Sequence, residues 1–186
     1  MAITISGDSP NLTSANLSSP TLSSPTITNA VVSSMASSVI TAGTSQASTS
    51  GTSIDFTSIP SWVKRVTVLY NGVSTSGTSP FQIQIGSGSL TTSGYTSGSY
   101  SGITTSTTGF IQVSGITAAS LFYGTTTICL IGSNTYIASG VMLRAADSVQ
   151  TSGGSVVLSG ALDRLRITCI NGTDTFDAGS INILYE

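Results

Sequence analysis

Histidine is absent from this 186-residue chain, and charged residues make up only 6% of it. The missing imidazole removes the commonest general base, proton shuttle and zinc ligand, so a serine hydrolase triad is excluded. The seven acidic residues include no pair with the context of facing glycosidase carboxylates. The sequence therefore predicts a non-enzymatic protein without cofactor or metal site, and a carbohydrate-active enzyme is the remote alternative.

Basic residues are also few, and long apolar runs are missing. Five Lys and Arg residues are scattered through a chain of net charge −2, so no cluster could neutralise a series of phosphates. No apolar stretch approaches the roughly 20 residues of a transmembrane helix, and the first residues do not resemble a signal peptide. We expect no binding of nucleic acid, no membrane insertion, and synthesis in the cytoplasm.

The polar half of the chain is built from Ser, Thr, Gly and Asn instead of charged residues. Thr, Val, Ile and aromatic residues fit a pleated sheet, whereas Ser, Gly and Asn compete with helical hydrogen bonding. An all-β chain follows. The two cysteines, Cys129 and Cys169, lie in apolar runs and are predicted to be free thiols that pack as small hydrophobic groups.

Residues 1–50 differ from the rest because apolar side chains recur there at a spacing of five. The repeated positions are Leu12, Leu17, Leu22, Ile27 and Val32. Neither a helix nor a flat strand has this period, and prolines interrupt it. We interpret the segment as an intertwined stalk in which the first four of these residues face the axis of a homotrimer. A disordered Ser/Pro linker is the alternative.

Residues 51–186 carry strand patterns at regular intervals, typical of a β-sandwich, and predict a jelly-roll-like knob. Asn71-Gly72 is predicted to close the first strand in a tight turn. The Asn/Gly/Thr/Asp-rich stretch Asn171–Gly179, which holds Asp174 and Asp177, is predicted to be a turn. The predicted strands are Trp62–Tyr70, Phe81–Gly86, Gly109–Val113, Thr125–Ile131, Thr135–Leu143, Ser155–Leu158, Leu162–Ile170 and Ser180–Tyr185.

The candidate ligand-binding residues are Tyr95 and Tyr100. They lie in a Gly/Ser/Thr-rich stretch, 86–108, that is too long for a hairpin turn and is predicted to be a loop. Tyr offers a flat apolar ring with a polar tip, and Ser and Gly adapt around it. We interpret this loop as a surface that contacts a carbohydrate. A solvated loop without a ligand is the alternative.

Arg164 and Arg166 alternate with apolar residues and therefore share one face of a strand. Such a pair could bind an acidic glycan, but pairing with carboxylates of a neighbouring subunit is the favoured interpretation in a chain with so little charge. Trp62 begins another predicted strand. It is predicted to be a core or interface anchor, in preference to a platform for a sugar ring.

Two stretches carry a resemblance to a known family. Gly51-Thr52-Ser53-Ile54-Asp55-Phe56-Thr57-Ser58-Ile59-Pro60-Ser61-Trp62-Val63-Lys64-Arg65 resembles the opening of the C-terminal domain of phage and prophage tail-fibre proteins. The closing stretches, residues 162–168 and 171–186, are similar to the end of that domain. The resemblance implies a homotrimeric appendage of a virion, with no catalytic residues to transfer.

This resemblance and the composition together predict a structural protein of a bacteriophage virion. The favoured role is a tail fibre or spike tip that contacts a host-surface glycan, attached to other virion proteins through residues 1–50. A capsid decoration protein, such as a head fibre or cement protein, is the alternative, which the shortness of the chain favours.

Overall fold

A computed structural model describes residues 40–100, 104–118, 120–145 and 148–186. Every regular element among them is a β-strand, and no described helix could cross a membrane. The predicted axial residues Leu12, Leu17, Leu22 and Ile27 lie outside the described ranges. The strands are β1 (Thr41–Ala42), β2 (Gln46–Ala47), β3 (Ser53–Phe56), β4 (Arg65–Thr75), β5 (Phe81–Ser87), β6 (Ser89–Leu90), β7 (Thr96–Tyr100), β8 (Thr104–Ser106), β9 (Phe110–Ile111), β10 (Phe122–Gly132), β11 (Thr135–Arg144), β12 (Ser148–Val157), β13 (Arg164–Cys169) and β14 (Phe176–Tyr185).

These strands form two sheets of antiparallel strands, which confirms the predicted all-β class. The nine-stranded sheet has the order β1-β14-β4-β10-β11-β12-β7-β8, and β2 also pairs with β14. The five-stranded sheet has the order β3-β13-β5-β6, with β9 paired to β5. Each of the eight predicted strand stretches overlaps a strand of the structure.

The apolar core lies between the inward faces of the two sheets. Phe81 of β5 in the five-stranded sheet packs against two rings of the nine-stranded sheet. Its ring centroid lies 5.4 Å from that of Phe122 in β10 and 5.8 Å from that of Tyr70 in β4. Along β13 the inward positions Leu165 and Ile167 are buried and the residues between them are partly exposed. This alternation is the pattern of period two that a half-buried strand requires.

Asn71-Gly72 does not form the predicted turn, and β4 continues through it to Thr75. The strand instead carries one extra residue at this point, between the β10 pairings Phe122–Val73 and Gly124–Tyr70. Gly72 has a φ of +64°, so the glycine supplies a left-handed conformation to a β-bulge. The hairpin prediction was wrong because neighbouring strands on both sides extend the pairing of β4 past the dipeptide.

The tight hairpin of the nine-stranded sheet lies elsewhere, between β10 and β11. Ser133 and Asn134 join these strands with φ values of +47° and +56°. Two consecutive positive φ values match the twist of the flanking strands in a two-residue hairpin. The turn brings the outward side chains of two ten- and eleven-residue strands into one continuous face.

Residues upstream of the predicted knob boundary at 51 belong to the nine-stranded sheet. The Gly43 N–H donates to the carbonyl of Ile183 at 2.8 Å, and the Ser48 N–H donates to that of Gly179 at 3.0 Å. The Ser48 hydroxyl donates to the Ala178 carbonyl at 2.8 Å from a fully buried position. The segment that contains β1 and β2 therefore covers the edge of β14.

Candidate functional site

Tyr95 is a core residue in the structure. It is only 2% exposed, and its ring meets Phe110 edge-on at 5.0 Å. Its hydroxyl accepts the Ile85 N–H at 2.8 Å and donates towards the Thr91 carbonyl at 3.1 Å. Burial raises the pKa of Tyr95 to about 12. The expectation that Tyr95 presents its ring to a ligand is wrong, because the Gly/Ser-rich stretch folds its one buried aromatic ring under the five-stranded sheet.

Tyr100 lies on the surface, with 73% of its side chain exposed. Tyr100 is the last residue of β7 and pairs with Thr151 of β12. This part of the predicted loop is therefore a strand. The short strands β6 and β8 also fall between residues 86 and 108. The structure therefore separates the two tyrosines into a core position and a sheet position, and they do not form one site.

Arg164 and Arg166 are paired with carboxylates of the same chain. The Arg166 guanidinium donates twice to Asp55 of the neighbouring strand β3, from Nε at 2.6 Å and from Nη2 at 2.7 Å. Arg164 Nε donates to Asp163 at 2.7 Å, and this hydrogen bond lowers the pKa of the Asp163 carboxyl. The predicted partners were carboxylates of another subunit, whereas the structure supplies these within the chain.

Further sequence predictions concern Trp62, the two cysteines and the absence of a metal site. Trp62 is 55% exposed beside Tyr185, at a centroid distance of 6.0 Å, so it is not a core residue of the single chain. Cys129 and Cys169 are free, as predicted. Among the residues described, no three His, Cys, Asp or Glu side chains cluster in a way that could hold a metal ion.

The predicted turn is confirmed by its hydrogen bonds for residues 171–175. For residues 176–179, which include Asp177, the prediction was wrong, because they pair with β4 as the start of β14. Asn171 Oδ1 accepts the Thr173 and Asp174 N–H groups at 3.1 Å each, and Asn171 Nδ2 donates to Asp174 Oδ1 at 2.8 Å. That last contact lowers the pKa of the Asp174 carboxyl. Asp174 Oδ2 also accepts the Ser79 N–H at 2.9 Å. The carboxylate is used to fix the loop.

One concave polar site lies on the outward face of the five-stranded sheet, and we call it the carboxamide cleft. It encloses about 340 Å³. Strand β5 contributes Gln82 and Gln84, strand β13 contributes Arg166 and Thr168, and Thr108 closes one side. Register places Gln84 beside Arg166 and Gln82 beside Thr168. Alternation with Phe81, Ile83 and Ile85 was the sequence signal that put both glutamines on this face.

Hydrogen bonds hold one end of each carboxamide. Gln82 Oε1 accepts the Ser106 hydroxyl at 3.1 Å and the Thr108 hydroxyl at 3.0 Å. Gln84 Nε2 donates to the Thr108 carbonyl at 3.0 Å. Within the described part of the chain, Gln82 Nε2 and Gln84 Oε1 make no hydrogen bond, so each side chain keeps one polar atom for another partner.

The second candidate surface is the outward face of β10, β11 and β12, which we call the apolar outer face. Register places Tyr123, Leu143 and Val149 in one row and Val141 beside Thr151 in another. Their apolar side chains are between 38% and 64% exposed. The outward positions of these three strands hold Tyr, Ile, Val, Leu, Cys, Thr, Ser and Gly, with no charged residue.

Comparisons with protein-family models, with curated proteins and with solved structures gave no match to this chain.

Proposed function

We propose that this chain is a non-enzymatic structural protein of a bacteriophage virion, a homotrimeric tail fibre or spike tip that contacts a host-surface glycan. The resemblance of residues 51–65, 162–168 and 171–186 to tail-fibre domains supports the virion role. The packing of two antiparallel sheets around one core supports a jelly-roll-like sandwich as the knob. The observation that carries the proposal is the apolar outer face, because such a surface requires a partner.

The size of this face suits a stable contact between subunits. Strands of ten or eleven residues are about 34 Å long, and the three strands β10, β11 and β12 at a spacing of about 4.8 Å span about 14 Å. The apolar outer face therefore covers roughly 500 Å², and its neighbours β4 and the five-residue β7 extend it to roughly 700 Å². Standard interfaces bury about 800 Å² per partner, so the extended face is close to the size that a stable contact needs.

The partner that we propose for the apolar outer face is a second copy of this chain. In a cyclic trimer the outer faces of three copies meet around the axis, so that one side of each face contacts the opposite side of the face of the next copy. Uncharged surfaces meet there without like-charge repulsion, and hydroxyl and aliphatic groups cost far less to desolvate than ions. We propose further that the N-terminal stalk segment, in which Leu12, Leu17, Leu22 and Ile27 would face the axis of the trimer, attaches the chain to other virion proteins.

Locating the chain in whole particles tests the virion role. An antibody against the full chain, used in immunogold electron microscopy of particles released by the bacterium that carries the coding sequence, should label tail tips in few copies per particle. Label distributed over the capsid would support the capsid decoration protein instead. Particles that carry no label at all would refute both virion roles.

A further inference from the structure

We propose that the carboxamide cleft binds a neutral, hydroxyl-rich saccharide. This inference rests on the proposed adhesive function and deepens it by naming the site and the ligand class. The cleft lies on the five-stranded sheet, whereas the apolar outer face lies on the nine-stranded sheet. A trimer that buries the apolar outer face therefore leaves the outward side of the five-stranded sheet available to a ligand.

The two glutamines are positioned as a binding site requires. Gln82 is 2% exposed and Gln84 is 8% exposed, and their contacts with Ser106 and Thr108 fix the orientation of both amides. Gln84 Oε1 is an acceptor and Gln82 Nε2 a donor, and both remain unpaired among the residues described. Sugar hydroxyls donate and accept hydrogen bonds, so neighbouring hydroxyls complement this donor and acceptor pair.

Charge compensation favours a neutral ligand. Arg166 Nε and Nη2 already donate hydrogen bonds to the carboxylate of Asp55, at 2.6 and 2.7 Å. The pair presents nearly no net charge to the cleft, and an anionic sugar would have to compete with Asp55 for the guanidinium. A hydroxyl, in contrast, binds at the edge of the ion pair without separating it.

The lining also indicates how the saccharide is held. Hydroxyls, carboxamides and the Arg166 side chain line the cleft together with Cys169 and Ile170, and none of the lining residues is aromatic. Hydrogen bonds to the edge of a sugar ring, rather than stacking on its face, must then supply the contact. A volume of about 340 Å³ is at the small end of ligand pockets and suits one or two sugar units.

The test applies labelled full-length protein to an array of oligosaccharides. The array holds neutral oligomers of hexoses and N-acetylhexosamines, and acidic oligomers that contain uronic or sialic acid. We expect binding to neutral members, with less than about a twofold change between about 50 mM and about 500 mM NaCl, because no ion pair forms with the ligand. Gln84→Met should weaken the binding at least about tenfold, the effect of roughly one lost polar contact.

Matched variants separate the cleft from other surfaces. Ser133→Asn, in the exposed turn between β10 and β11 and away from the cleft lining, should leave the array signal unchanged. Thr168→Val removes one hydroxyl from the cleft wall with little change in shape, and it should weaken binding at least about threefold even if Gln84→Met does not fold. The thermal melt of each variant establishes that it is folded.

Three results would overturn the inference. Binding confined to acidic members and lost at high salt would refute the neutral class. Unchanged binding by folded Gln84→Met and Thr168→Val would exclude the cleft, and a signal lost in folded Ser133→Asn would place the site on the nine-stranded sheet. If no saccharide binds while labelled protein still adheres to host cells, the cleft inference fails and the proposed function stands.

Discussion

Gly179 of β14 lies directly against the backbone of Gly72 in β4. A methyl group added to Gly179 would stand 2.3 Å from the carbonyl oxygen of Gly72 and 2.6 Å from that of Asn71. The φ of Gly179 is +91°. The pairing of β14 with β4 shifts in register twice next to it, between Phe176 and Ala178 and between Ala178 and Ser180. Two bulges in adjacent strands therefore pack together, and only glycine fits between them.

Gly179→Ala should consequently be among the most damaging single changes in the two-sheet fold. The strained φ and the backbone clash together should cost about 3 kcal/mol of unfolding free energy. Gly172→Ala is the matched control, because Gly172 also has a positive φ, +68°, but no atom lies within 4 Å of the added methyl group. Its cost should be about 1 kcal/mol. Equal effects in urea unfolding would show that the close approach to Gly72 is not important.

Removal of the Tyr95 hydroxyl should destabilise the fold although the ring stays in place. Tyr95→Phe leaves the buried Ile85 N–H without its partner at 2.8 Å, which should cost about 1–3 kcal/mol. Thr173→Ala, at an exposed position in the turn beyond β13, should change the unfolding free energy by less than about 0.5 kcal/mol. A melting temperature that Tyr95→Phe does not lower would contradict the burial of this hydroxyl.

Truncation tests the role of β1 and β2. A chain of residues 38–186 keeps the contacts of Gly43 and Ser48 with β14, and it should melt cooperatively. A chain of residues 51–186 loses them, and at about 1 kcal/mol for each of two or more hydrogen bonds it should be less stable by about 2 kcal/mol. Calorimetry should show a melting temperature about 6 °C lower for the shorter chain. Identical melts would mean that the edge of β14 needs no cover.

The stability of the fold should fall with pH only under acid conditions and should be nearly independent of pH around neutrality. Hydrogen bonds lower the pKa values of Asp163 and Asp174, so their contribution is present above the unfolded pKa of about 3.9 and is lost as pH falls through the folded values. The chain has no histidine to titrate near neutrality. The melting temperature should be nearly constant from about pH 5 to about pH 8.

Asp174→Asn provides the control for this prediction. The variant should be less stable than wild type at neutral pH and should lose less stability below about pH 4, since one of the responsible carboxylates is gone. Circular dichroism melts across the pH range would measure both effects. A steep step in wild-type stability between about pH 5 and about pH 8 would contradict the assignment to carboxylates.

The main strands could be predicted because their side chains alternate, as in Phe81–Gly86 against β5 (Phe81–Ser87). The short strands β1, β2, β6 and β8 could not, since they are two or three residues long and carry few apolar residues. The fate of Asn71-Gly72 also depended on distant pairing. A dipeptide that favours positive φ serves a bulge as well as a turn, and β10 and β14 decide between them.

The candidate site was predictable only in part for the same physical reason. Alternation placed Gln82 and Gln84 on the face opposite Phe81, but nothing local indicated that Thr108 would cover them. Arg166 was correctly placed on an outward face, yet its partner Asp55 is 111 positions away in sequence. Composition favoured exposure of Tyr95, and its hydrogen bonds to the backbone of β5 and the following segment, a tertiary feature, bury it.

The central claim, that the apolar outer face joins copies of this chain in a homotrimer, is tested most directly by sedimentation equilibrium of the full chain. Wild type should have three times the 18.7 kDa mass of one chain. Val141→Lys places a charge on the face at a position already 53% exposed, so the subunit should still fold while the mass falls towards that of a monomer. Thr173→Lys, on the exposed turn beyond β13, should remain trimeric. A monomeric wild type, or a Val141→Lys variant that stays fully trimeric, would contradict the claim.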